Sequence, residues 1–240
     1  MERQVSGGLG FFGGLAIFLG LALLGYLVST SSWTIRRAER TVTVKGLSER
    51  EVAADIAIWP IKFTEVENAL DALYANLQAK SDMVVAFLKE NGFDEDEIAV
   101  GPPAITDRMA EYYGGNERIP FRYSASVVVT VYTARVDRVL ATMQQMVALG
   151  RQGIVVGGQN YDTRTEYLFT GLNDIKPAMI EEATKNAREV ARKFAQDSDS
   201  TLGKIKEAHQ GQFTISDRDS NTPHIKKVRV VSTVVYYLSD

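Results

Sequence analysis

The sequence predicts an α+β fold carried behind an N-terminal membrane helix, and three observations lead there. Residues 9–28 form one apolar run inside a longer stretch, 4–35, that holds no charged side chain. Beyond Arg36, apolar residues alternate at period two in several segments, the mark of half-buried strands. Between those segments lie runs with apolar residues three and four apart, the mark of amphipathic helices. The elements read in order as ββαββαβαββ, with helices packed on mixed sheet.

The apolar run comes first. At a rise of ~1.5 Å per residue, about twenty residues cross the ~30 Å hydrocarbon core of a bilayer. Lipid offers no partners for a bare backbone, so such a segment is helical. The residues after it, Ser29-Thr30-Ser31-Ser32-Trp33, make poor small-x-small cleavage sites, so an uncleaved anchor is expected rather than a signal peptide. Gly10 and Gly14 form a G-x-x-x-G pair, which Ala16 and Gly20 continue. Such faces let helix backbones approach closely in lipid, which makes these four the expected transmembrane packing residues. Trp33 stands where an interfacial aromatic belongs, and Arg36-Arg37 mark the exit into water. Residues 1–37 are thus the anchor with its flanks, and 38–240 the folded body. Basic residues flank both ends of the run, so charge alone does not orient it.

In the body, Thr41-Val42-Thr43-Val44 reads as a strand and Lys45-Gly46-Leu47-Ser48-Glu49-Arg50 as a turn. The next strand spans 51–64. Its apolar face changes at Trp59-Pro60, so a bulge or a sheet edge is expected there. A long helix follows with Val66, Leu70, Leu73, Leu77, Val84, Phe87 and Leu88 inward, stopped by Asn91-Gly92. Strand-like sequence resumes at Ile98 and is interrupted by Pro102-Pro103. After a polar tip at 112–116, Phe121 to Thr133 alternates cleanly. A second helix spans 135–149, and a strand is expected from Ile154 through Phe169. The third helix has Pro177 in its first turn and an apolar stripe of Ile175, Met179, Ala183, Val190 and Phe194. Two closing strands, 203–215 and 225–238, complete the body. The last is apolar on both parities and belongs in mid-sheet.

The composition narrows the function. Net charge is −3, so no broad basic field draws in nucleic acid. With no cysteine there is no disulfide framework, thiolate metal site or thiol nucleophile. The two histidines, His209 and His224, belong to no nucleophile or H-E-x-x-H motif. Asp94-Glu95-Asp96-Glu97 reads as a solvated connection. Asp217-x-Asp219-x-Asn221 opens like a calcium loop, but lacks the glycine and the closing glutamate. Gly114-Gly115 and Gly157-Gly158 are not phosphate loops. No catalytic, cofactor or metal residue is therefore expected, and Tyr112 with Tyr113 on the glycine-rich tip is the expected partner contact.

The chain resembles the SIMPL-domain family of bacterial cell-envelope proteins, from about Thr41 to Leu238. The resemblance rests on Thr41-Val42-Thr43-Val44-Lys45-Gly46, on Ala54-Asp55-Ile56-Ala57, and on Leu88 with Gly92-Phe93 and Glu97-Ile98. Tyr123-Ala125 with Val127, Val129 and Val131 adds to it. So does the alanine-spaced helix Glu182-Ala183-x-x-x-Ala187-Arg188-x-x-Ala191-x-x-Phe194-Ala195. It implies an α+β fold, an extracytoplasmic location, homo-oligomers and no transferable catalytic residues. The expected protein is non-enzymatic and single-pass in the inner membrane, with its body in the periplasm. Its heads self-associate into a ring or cage, in envelope stress or scaffolding. The alternative is a monomeric or dimeric tether that binds a periplasmic client or lipid.

Overall fold

A computed structural model of the chain describes residues 13–27, 40–110, 120–157 and 163–240. Residues 13–27 form a helix, α1, exposed at every position. At about 1.5 Å per residue it is some 22 Å long. No helix among the described residues is long and apolar enough to cross a membrane. Gly14, Ala16 and Gly20 lie on α1, whereas Gly10, Trp33, Tyr112 and Tyr113 fall outside the described residues.

The body contains β1 (Thr41–Ala53), β2 (Ile56–Glu67), α2 (Leu70–Glu90), β3 (Ile98–Val100), β4 (Ala104–Asp107) and β5 (Tyr123–Thr133). There follow α3 (Val136–Gln145), α4 (Val147–Arg151), β6 (Glu166–Leu168), α5 (Leu172–Asp197), β7 (Thr201–Gln210), β8 (Thr214–Asp217) and β9 (Ile225–Ser239). The described residues fall into two compact units. One is drawn from Met1–Glu49, Pro177–Phe213 and Arg229–Asp240, the other from Arg50–Lys176 and Thr214–Val228. β1, α5 and β9 each contribute residues to both.

In the second unit the strands run β3-β5-β2-β6, with β4 also on β5. The expected mixed sheet is instead antiparallel throughout its described pairs. The reason is topological. α2 joins β2 to β3, two parallel strands with β5 inserted between them. α3 and α4 likewise join β5 to β6 around β2. This is an interleaved split-βαβ arrangement, so no two adjacent strands are parallel.

One face of this sheet is buried. Ala57, Trp59, Ile61 and Phe63 from β2 and Ala125, Val127, Val129 and Val131 from β5 pack with Leu73, Leu77, Val84 and Leu88 from α2. The parity of β2 does not change at Pro60, contrary to the sequence expectation, and its register with β5 is unbroken from Ala57↔Thr133 to Glu67↔Tyr123. β2 is internal to its sheet, between β5 and β6, so the strand order shows no sheet edge there either. Lys62, of the same parity as Pro60, turns its carbonyl away from β5 to accept from the Gly157 N–H at 2.9 Å. Pro60 faces that same side, where its missing donor breaks no β2–β5 bond.

α2 ends as expected. Gly92 takes φ +83°, its N–H donates to Lys89 O, and Phe93 N–H donates to Leu88 O. That is a Schellman motif, and Phe93 is buried with its ring 6.4 Å from Trp59. Val66 belongs to β2 rather than to this helix. The single helix expected over 135–149 is broken at Met146, whose N–H reaches back only three residues to Met143 O. Of the strand expected from Ile154 to Phe169, the described residues show an isolated Phe63↔Val156 bridge and the three residues of β6, while 158–162 lie outside them.

In the other sheet the order is β1-β9-β7, with β8 also pairing β9, so β9 is internal as its two-sided apolar pattern requires. Lys45-Gly46-Leu47-Ser48-Glu49-Arg50 is not a turn; β1 runs straight through it. Gly46 serves close approach instead. A Cβ there would stand 1.9 Å from Ala183 O and 2.4 Å from Ala187 N, both backbone atoms of α5. Ser48, also buried, donates to the Glu182 carboxylate at 2.9 Å. So tight an approach admits only small side chains. The buried stripe of α5 is accordingly Met179, Ala183, Ala187, Ala191 and Ala195. Val190 and Phe194, expected inside, are 41% and 55% exposed.

Candidate functional site

The acidic and histidine residues noted in the sequence are committed to structure. Asp94 and Glu97 form a capping box around the single 3-10 turn Glu95–Glu97. Arg135 pairs with both, at 2.8 Å to Asp94 and in closer contact with Glu97. Burial pushes the Glu97 carboxyl up, but hydrogen bonds from Thr133, Arg135 and the Asp94 N–H, with the charge of Arg135, hold it below its ordinary value. Asp217 pairs with Arg164 at 3.0 Å and contacts the buried Lys226. Asp219 accepts from the N–H groups of Asn221 and Thr222, both at 2.8 Å, and from Thr222 Oγ1 and Arg218. The calcium-like spelling is thus an internally satisfied turn, and no metal-binding group occurs among the described residues. His209 is exposed, with Nε2 2.8 Å from Glu207. His224 lies edge-on to Tyr167, ring centres 6.0 Å apart.

Asp55 does something the sequence did not disclose. Its carboxylate accepts from the N–H of Thr170 at 2.8 Å, from that of Gly171 at 3.1 Å, and from Thr170 Oγ1 at 2.9 Å. A negative charge is thereby held at the start of α5, where the helix dipole favours it.

Two cavities of the second unit bear on binding. One, about 620 Å³, is lined by Ala54, Arg135, Val136, Arg138 and His224. Its arginines are already engaged: Arg135 with Glu97, and Arg138 with the carbonyl of Gly92 at 2.8 Å.

The other is an open groove of about 580 Å³ beside β2. β2 supplies Trp59 and Pro60. α3, α4 and the joint between them supply Met143, Met146, Val147 and Gly150. Residues 154–157 and Thr163 close the lining. The groove lies beside β2 between two described pairings. These are Phe63↔Val156 and Ile58↔Glu166; residues 158–162 between them lie outside the described residues. Between them Trp59, Pro60 and Ile61 have no edge partner among the described residues. The floor is Trp59, 3% exposed; the rim includes Val147 and Val155, 67% and 78% exposed. Among the described residues the lining holds no titratable side chain, and its side-chain polar groups are the indole N–H of Trp59 and the hydroxyl of Thr163.

Sequence reasoning missed this groove, because its lining comes from four separated stretches. The one of its residues that the sequence singled out with a structural reason is Pro60. Of the expected site residues, Gly14, Ala16 and Gly20 share α1. An added Cβ at Gly14 or Gly20 meets nothing within 4 Å, so both positions are uncovered, though at about 100° per residue they stand on different sides of α1.

Compared with known families, residues 42–236 match the family model described as SIMPL, Protein of unknown function (DUF541). A comparison with curated proteins finds no match.

Proposed function

We propose, on the premise that this chain belongs to the SIMPL family, that it is a non-enzymatic envelope protein. Its N-terminal helix anchors it in the inner membrane, and its periplasmic heads self-associate into a ring or cage. The observation that carries this reading is α1. Ile17, Phe18, Leu21, Leu23 and Leu24 are each 60% or more exposed, and no charge interrupts the run on either side. A helix apolar all round needs lipid or other helices to cover it. Its small residues leave a face open for a second copy.

The test is light scattering on the detergent-purified chain, with and without Gly10→Leu and Gly14→Leu. The expected result is an oligomer whose mass falls in the double variant. A monomer at working concentration, or a mass unchanged by the substitutions, overturns the anchor-driven assembly. Proteolysis of the head in spheroplasts, with protection in inside-out vesicles, is the expected result for the location; the reverse pattern overturns it.

A further inference from the structure

We infer that β7 pairs with β7 of a second copy of this chain, antiparallel and with Ala208 on the two-fold axis. This rests on the self-association reading and deepens it, naming one surface through which the heads meet.

β7 is the terminal strand of its sheet: among the described residues its ladder partner is β9 alone. It is exposed at every position except the half-buried Leu202. Ile205 faces the same side of the sheet as the buried Tyr236, yet is 40% exposed. The cover that Ala187 and Ala191 of α5 give to β9 therefore stops short of β7. A strand that buries so little of itself has little to set against the entropy of ordering its backbone.

The edge is open to pairing over one short stretch. Gly211 N–H donates to Val231 O at 2.9 Å, and the register runs one-to-one from Glu207↔Val235 to Gln210↔Ser232. Odd-numbered groups of this stretch thus bond to β9, and Ala208 and Gln210 turn their N–H and C=O outward. Lysines and bulges ordinarily guard such an edge. Here both register shifts lie before Glu207, and Lys206 is drawn over the ring of Tyr237 on β9, 5.7 Å from its centre. Residues 207–210 carry neither device.

Charge then selects the occupant. Glu207 and His209 share one face of β7, their side chains 58% and 65% exposed, with Nε2 2.8 Å from the carboxylate. With Ala208 on the axis, each Glu207 falls opposite His209 of the second copy, so carboxylate and imidazole alternate around the contact. Moving the axis to Gln210 sets His209 against Gly211, and moving it to Lys206 sets Glu207 against Ile205. A second copy supplies the matching pattern by symmetry, and an isologous contact of this kind closes at two copies. So short a pairing is weak in solution; tethering both copies to one membrane raises their effective concentration.

The chain contains no cysteine, so single cysteine substitutions in the full chain, purified in detergent, read the register directly. In the stated pairing the two Cα atoms at 208 lie ~5.5 Å apart, within disulfide reach, whereas those at 206 and at 210 lie well beyond it. On mild oxidation Ala208→Cys should form a covalent dimer roughly tenfold or more faster than Lys206→Cys or Gln210→Cys. Comparable rates at the three positions, or a maximum at 206 or 210, overturn the proposal. Ala208→Pro removes an outward N–H and no bond to β9. It should lower the mass read by light scattering while keeping the parent's circular dichroism. Should it misfold, His209→Glu replaces it: carboxylates then face one another, the mass should fall, and the swap Glu207→His/His209→Glu should restore it. An unchanged mass in the folded variant, or a swap that restores nothing, overturns this surface and leaves self-association of the heads standing. A monomeric parent with no cross-link at 208 removes both.

Discussion

Gly46→Ala should unfold the small unit more readily than its single methyl group suggests. The added Cβ would lie 1.9 Å from Ala183 O and 2.4 Å from Ala187 N. Carbon–oxygen contacts below 3.0 Å are essentially never seen, so α5 must retreat by about 1 Å. Backbone atoms cannot rotate out of the way. The retreat opens gaps along the packing of Val44, Ala187, Ala191, Val234 and Tyr236, the core of this unit. A gap of 0.5–1 Å forfeits a quarter to a half of each contact's attraction, and overpacking of this kind costs ~1–3 kcal/mol, occasionally more. The expected loss is therefore about 3 kcal/mol, or roughly 6–12 °C in Tm for a body of this size. Thermal and urea unfolding of the purified chain, followed by circular dichroism, measures it. Gly150→Ala is the control: it lies in a helix with nothing within 4 Å of the new Cβ, and should be neutral or stabilising by up to about 1 kcal/mol. Ala187→Gly should not rescue Gly46→Ala, because it removes only the third contact, at 2.9 Å. A loss below about 0.5 kcal/mol, or full rescue by Ala187→Gly, would refute the close-approach reasoning.

Two further outcomes concern the larger unit. Asp55→Ala leaves the Thr170 and Gly171 N–H groups without their acceptor and should cost about 1–2 kcal/mol; a urea midpoint equal to the parent's would show that the carboxylate is not holding the start of α5. Glu97 lies below its ordinary 4.5 in the folded chain, so its contribution is complete above about that pH and is lost as pH falls through the lower folded value. The parent should be more stable than Glu97→Gln at neutral pH and should lose that advantage on acidification; an advantage independent of pH would assign the effect to shape rather than charge.

How much of this was legible turns on whether a residue's partner is near or far in sequence. The alternation of β5, the Asn91-Gly92 stop and the internal place of β9 were readable because each is a local pattern with one physical solution. Gly46 was misread because a glycine beside polar residues signals a turn as well as a close approach. Only the helix lying on it, which arrives more than a hundred residues later, decides between them. Phe194 was misread for the same cause: its spacing places it on the α5 stripe, but an interface narrowed by Gly46 and Ser48 selects alanine. The residues that carry the family resemblance share this character. Gly46 answers to Ala183, Asp55 to Thr170, Phe93 to Trp59, and Glu97 to Arg135. Each looks unspecific in its own segment because its reason lies in another. None of the four lines the groove. The resemblance therefore speaks for the scaffold: each of these residues is placed by a contact that holds two separated segments together.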